Sequence, residues 1–337
     1  MVSRLKRTTL SNRQERALEK TLQNLRVQRR NRFRVLACIN EDDASYVTVR
    51  FAARLAPGDD CDIIVLLVRP IDQELWSGGL QVRLARQNML QAGLELPGVR
   101  QLKKALEILK EEGVDVQGWT QETAHVDAWG DPAGDNKVVH TSPEGRTVVL
   151  KLKTAPDVAN GILDQYELGP YNLMILGESS SWRGERKSWF SKDVVQTVTM
   201  LSPCSVLVAR NSLDRSGFFI CTDGTSRSMQ AVRRAAVLAH TVNEPIILFS
   251  AAPTTAARNA AEENVENAKA LLKALGIEVA EARVAVGDPA QQIIELGSDC
   301  KTIVVTDEGR SWWQRMWRGS IAYEVVRGAK TSVLDVR

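Results

Sequence analysis

Residues 310–320, RSWWQRMWRGS, hold three tryptophans and three arginines and no acid. A second stretch, SSSWRGERKSWFSK at 179–192, has the same character, and together the two carry five of the eight tryptophans in the chain. Aromatic rings bury well at an interface while guanidinium groups meet acceptors or anionic headgroups, so such segments fit a protein hot spot or a membrane surface. Trp182, Arg183, Arg310, Trp312, Trp313 and Arg315 are the candidate partner or membrane contacts.

The scarce reactive side chains exclude other chemistry. The three histidines, at 125, 140 and 240, stand at metal-ligand spacing from neither cysteine nor each other, which argues against a zinc site or a histidine-based triad. Five cysteines form no C-x-x-C pair, and four lie in or beside apolar strand-like runs, as reduced, structural thiols do.

At 337 residues the chain has the length of two domains. The second part opens RSGFFICTDGTSRSMQAVRRAAVLAHTVNEPIILFSAAP, a strand, a turn, an amphipathic helix and a strand. In AEENVENAKALLKALG, Val265, Ala268, Leu272 and Leu275 share a helical face and Gly276 ends it. GDPAQQIIELG starts a third helix, with Asp288 as cap, Pro289 in the first position and Gln291 set to close a capping box. KTIVVTDEG, GSIAYEVVRGA and TSVLDV complete about five strands and four helices. The same order recurs from RFRVLACINEDDAS onward, interrupted near 71–97 and near 121–149, where turn residues surround a hairpin candidate.

This alternation predicts α/β architecture: two tandem Rossmann-like, doubly wound domains with five-stranded, mainly parallel sheets. The expected boundaries are a basic arm or amphipathic helix at 1–33, one domain at 34–210, a linker, and a second domain at 217–337. Ligands in such sheets lie beyond the carboxyl ends of the strands, which directs attention to the loops beginning at Asp223 and Thr306.

Strand-TDGT-helix, GDPA before the third helix, and Gly309, nine residues, then Gly319 and Ser320 ahead of the last strand together resemble the universal stress protein superfamily, in tandem, with its adenine nucleotide alpha hydrolase-like fold. Nucleotide-binding members carry G-x2-G-x9-G-[ST] after the fourth strand and an acid after the first that meets the nucleoside. The resemblance implies that Asp223, Thr306, Gly309, Gly319 and Ser320 bind an adenine nucleotide, ATP with Mg2+ being the cofactor considered. Glycines there let backbone N–H groups approach phosphate, and Ser320 adds a hydroxyl at a helix N-terminus. Thr306 replaces the first glycine, and Asp307 and Glu308 add negative charge. In the first part Asn40 stands where the acid falls and only Gly177 and Ser191 remain of the motif, so no ligand is expected there. No catalytic residue is assigned; the resemblance implies slow ATP hydrolysis at most.

Residues 1–34 hold eleven Lys and Arg against two Glu, leaving the rest of the chain acidic. SNRQERALEKTLQNLRVQRR places Leu18, Leu22 and Leu25 on one helical face, as in a basic helix that meets anionic lipid, a membrane protein or nucleic acid. Nucleic acid is disfavoured by the acidic body. The resemblance extends to cytoplasmic tails of transporters, which makes a ligand-free accessory subunit of a membrane transporter the alternative to a nucleotide-responsive regulatory protein. The longest aliphatic run, Ile63 to Val68, cannot cross a bilayer, and the polar, basic opening predicts a cytoplasmic address, with peripheral attachment at the inner membrane face as a variant. The family's modules pair through their last strands, so an internal pseudo-dimer is expected, and a homodimer of whole chains is left open.

Overall fold

Strand residues alternate between two covered faces. In β1 (Phe33–Ile39), Val35, Ala37 and Ile39 enter one hydrophobic cluster while Leu36 and Cys38 enter another. Such double burial requires helices on both sides of the sheet. The computed structural model describes residues 31–70, 97–128, 131–167, 170–177, 194–306 and 320–337.

After β1 come α1 (Val47–Leu55), β2 (Cys61–Pro70), α2 (Pro97–Glu111), β3 (Thr120–Ala128), β4 (Asp131–Thr141), β5 (Thr147–Ala155), α3 (Val158–Glu167), β6 (Leu173–Gly177), α4 (Val194–Leu201) and β7 (Ser205–Ala209). The second half contains β8 (Phe218–Cys221), α5 (Ser226–Thr241), β9 (Ile246–Ala252), α6 (Arg258–Ala274), β10 (Glu281–Val286), α7 (Pro289–Leu296), β11 (Thr302–Thr306), α8 (Ile321–Gly328) and β12 (Ser332–Val336).

All twelve strands form one sheet, in the order β10-β9-β8-β11-β12-β7-β6-β1-β2-β5-β4-β3. The second half contributes the five parallel strands expected. The first contributes five parallel strands, β5-β2-β1-β6-β7, and two more: the 121–149 insertion supplies the antiparallel hairpin β3–β4 at the rim. Gln121 to Val126 are exposed, and a polar, charged edge strand needs no helix over it.

One helical expectation changes. Leu275 is exposed, because α6 stops at Ala274 and Gly276 turns to φ +72°. The Ile277 and Gly276 N–H groups donate to the Leu272 and Lys273 carbonyls, each at 3.0 Å, in a Schellman closure that buries Ile277 instead.

The halves meet where β12 runs antiparallel to β7, with Leu334 opposite Leu207. Both hydrophobic clusters draw residues from both halves, so the core divides by sheet face. Arg210, directly after β7, donates its N–H to Ser332 Oγ at 2.9 Å and its guanidinium to the Val326 carbonyl, ending α8, at 2.5 Å and to Thr331 at 3.0 Å. Arg337, directly after β12, donates its N–H to Ser205 Oγ at 3.2 Å and its guanidinium to the Thr199 and Ser202 carbonyls at the end of α4. Each half thus ends in an arginine that reaches across the seam and satisfies carbonyls left over by a helix of the other. The proposed helix within 1–33, the insertion near 71–97 and both tryptophan stretches lie outside the described residues.

Candidate functional site

β8 and β11 are parallel neighbours paired as Phe218 with Thr302 and Ile220 with Val304. Continuing that register sets Thr306 beside Thr222, one residue before Asp223. Two of the expected residues therefore share one carboxyl edge of the sheet.

The turn after β8 is built by short polar side chains. Asp223 Oδ1 accepts the Thr225 N–H at 2.9 Å and the Thr225 hydroxyl at 2.7 Å, closing an Asx turn. The Asp223 N–H donates to Ser228 Oγ at 3.3 Å, and that buried hydroxyl also meets Thr222 Oγ1 at 3.0 Å. Thr225 caps α5 by accepting the Ser228 N–H at 3.2 Å. Gly224 lies at φ +78°, and a Cβ there would collide with the Asn264 side chain on α6. Burial acts to raise the Asp223 carboxyl, but the Ser228 and Thr225 hydroxyls and the local N–H groups outweigh it and hold the acid below its ordinary range. At neutral pH it is an ionised acceptor for hydroxyl or amino donors and a poor general base.

Thr306 Oγ1 donates to the Val336 carbonyl at 2.9 Å. Since β12 and β8 flank β11 on opposite sides, this hydroxyl turns away from Asp223. Ser320 is the cap of α8, its Oγ accepting the Tyr323 N–H at 3.4 Å, and α8 packs on α7 and β12. Its hydroxyl hydrogen is not used by that bond. Asp288 caps α7 as expected, accepting the Gln291 N–H at 2.9 Å, with Pro289 in the first turn. Gly309 and Gly319, and the contact candidates Trp182, Arg183, Arg310, Trp312, Trp313 and Arg315, lie outside the described residues.

In the first half Asn40 Oδ1 accepts the Asp42 N–H at 2.8 Å and the Asn40 N–H donates to Ser45 Oγ at 3.2 Å. Gly177 ends β6 as Thr306 ends β11. Thr222 and Thr225 stand in the TDGT motif but were given no role from sequence, and Ser228 was not singled out. Their signal is the T-x-x-S spacing directly after an apolar strand.

Among the described residues no group of three His, Cys, Asp or Glu side chains could hold a metal ion, and no helix is long and apolar enough to cross a membrane. All five cysteines are free, and burial drives the Cys38 and Cys221 thiols far above their usual range. A Mg2+ carried on nucleotide phosphates needs no protein cage.

A parallel sheet covered on both faces, with an anchored acid and a serine-capped helix at its carboxyl edge, defines an α/β protein of the Rossmann-like class. The profile of the Universal stress protein family matches residues 218–337, and this part of the chain belongs to that family. A universal stress protein from Archaeoglobus fulgidus DSM 4304 superposes with a TM-score of 0.57 at 12% identity, covering 90% of this chain and 96% of that one. A universal stress protein solved in complex with cAMP is 30% identical over 36% of this chain and 97% of its own length, at a TM-score of 0.33. One from Archaeoglobus fulgidus in complex with dAMP is 18% identical, covering 36% and 98%, at 0.31. None of the curated proteins matches the chain.

Proposed function

We propose that this chain is a regulatory protein of universal stress protein type that binds an adenine nucleotide in its second module, residues 217–337, and signals through protein contacts. The first module, residues 34–210, carries no ligand in this reading. The supporting observation is the ionised Asp223 carboxylate held at the same sheet edge as Thr306. Thr306, whose hydroxyl is tied to β12, leaves the Asp223 side of that edge to the ligand. Ser320 supplies a hydroxyl at the N-terminus of α8, where the helix dipole favours phosphate. Gly309 and Gly319 complete the phosphate turn in this proposal, and Trp182, Arg183, Arg310, Trp312, Trp313 and Arg315 form the surface that meets a partner. The function is ligand-dependent binding without a chemical step.

Thermal unfolding with ATP, ADP or AMP and Mg2+ tests this reading, because a ligand bound only by the folded state raises its stability by about 2.7 kcal/mol at a hundredfold excess over Kd. A melting temperature unmoved by all three at millimolar concentration would leave the ligand-free accessory subunit as the surviving reading.

A further inference from the structure

Residues of the two halves line two clefts against α5, and the clefts differ. One, of about 310 Å3, is lined by Phe51, Arg54 and Leu213 together with Glu244 and Lys301. Its charges are matched: Glu244 pairs with Lys301, and Arg54 bonds Glu112 and the Leu213 carbonyl of the linker. The linker between β7 and β8 thus lines that cleft.

The other cleft, of about 770 Å3, lies at the amino ends of β1, β6 and β7, against α5, and no linker residue lines it. Phe33, Tyr171, Val237 and Leu238 give it apolar walls, and no acidic side chain is among its described lining residues. Two of its three arginines are engaged: Arg337 holds α4 carbonyls, and Arg234 donates to the Arg337 main-chain oxygen. Arg233 lines the cleft, is exposed, and has no ion pair among the described residues. The matching arginine of α1, Arg50, is bound by Glu111 and Glu112. A concave site of this size between the two halves, with polar and apolar surface in similar measure and one cation that has no ion pair among the described residues, has the make-up of a small-molecule site.

We infer that this seam cleft binds a small organic anion, with its carboxylate or phosphate on Arg233 and its apolar body against Phe33, Tyr171, Val237 and Leu238. This site is separate from the edge that holds Asp223 and does not depend on the nucleotide reading.

Calorimetric titration of the whole chain with decanoate and with decyl phosphate tests it, the two arms separating carboxylate from phosphate heads. Decanol removes the charge, and inorganic phosphate removes the apolar body. One saturable site for at least one of the two anions is expected, with decanol and inorganic phosphate binding far more weakly. Arg233→Glu should weaken the anion by about tenfold or more, since a charge-assisted contact is both lost and opposed. Val237→Trp, at an exposed position on the wall, should block the cleft without disturbing the core. Absence of a saturable site for both anions, or wild-type affinity in Arg233→Glu, would overturn the assignment.

Discussion

The β1–α1 and β8–α5 connections stand on one frame. Asn40 and Asp223 each accept the N–H two residues on, at 2.8 and 2.9 Å, and each donates its own N–H to a buried serine, at 3.2 and 3.3 Å. The charge differs: a neutral amide in one turn, an ionised carboxylate in the other. At the end of the fourth parallel strand the halves differ the other way. Gly177 leaves bare backbone against Ser45 and Thr48, whereas Thr306 spends its hydroxyl on β12. An amide oxygen thus makes in the first turn the same bond that a carboxylate oxygen makes in the second.

The seam offers the largest test of how alike the halves are. Arg210 is buried and bonds carbonyls of the opposite half, so Arg210→Ala removes charge-assisted bonds and strands buried acceptors. A loss of about 2–4 kcal/mol is expected, read as a lower denaturant midpoint at unchanged slope. Arg337→Ala should cost less, since that side chain is only part-buried. Equal costs would make the clamp symmetric in energy as well as in geometry, and a negligible cost at Arg210 would show that β7 and β12 hold together without it.

The buried serines come next. Ser45→Ala and Ser228→Ala each leave a turn N–H without its acceptor, which costs about 1–3 kcal/mol. Similar losses in urea unfolding would confirm the shared frame. A loss confined to Ser228 would mean that the Asn40 turn is held by other bonds.

Periodicity made the parallel core legible, since each strand buried on both faces reads as a continuous apolar run. The cap at Asp288 and the turn at Asp223 were legible because capping chemistry is local. The β3–β4 hairpin was only half visible: β3 has no continuous apolar run and is exposed from Gln121 to Val126, and its pairing partner is chosen by tertiary context. The seam clamp was present as a repeat, SVLVAR at 205–210 and SVLDVR at 332–337, but an arginine after a strand carries no local signal of the helix it will cap across an interface. Leu275 failed for a local reason, because the Schellman closure stops the helical period one residue early.

A further contrast lies between α1 and α5. Glu112 is bonded by Arg54 and Arg50, whose combined pull overcomes burial and holds its carboxyl below the usual range. A depressed folded-state value means that this stabilisation is present above the unfolded glutamate value of about 4.3 and is lost as pH falls through the folded value. Glu112→Gln should cost about 1 kcal/mol at neutral pH, discounted because both arginines are partly solvated, and should remove that part of the acid-side decline. Urea titrations at pH 7 and pH 3 check it. An unchanged pH profile would show that the cluster does not contribute.

The smallest stability effect is the most informative about function. Asp223→Asn gives the second turn the residue that the first turn already uses, and the amide oxygen can accept the same Thr225 bonds. At neutral pH the change should stay within about 0.5 kcal/mol, because the residue keeps much of its solvent contact although burial acts on its carboxyl. The sign with pH is fixed: Asp223 is depressed in the folded chain, so its contribution exists above the unfolded aspartate value of about 3.9 and fades as pH falls through the folded value, and the variant lacks that fade. Any ATP-dependent rise in melting temperature should collapse in the variant while the fold is unchanged. If the rise survives, the carboxylate does not meet the nucleoside, and the difference between the two turns is neutral drift on a common frame. If instead stability falls by more than about 1 kcal/mol, the charge belongs to the turn itself, and Asn40 and Asp223 are not interchangeable parts.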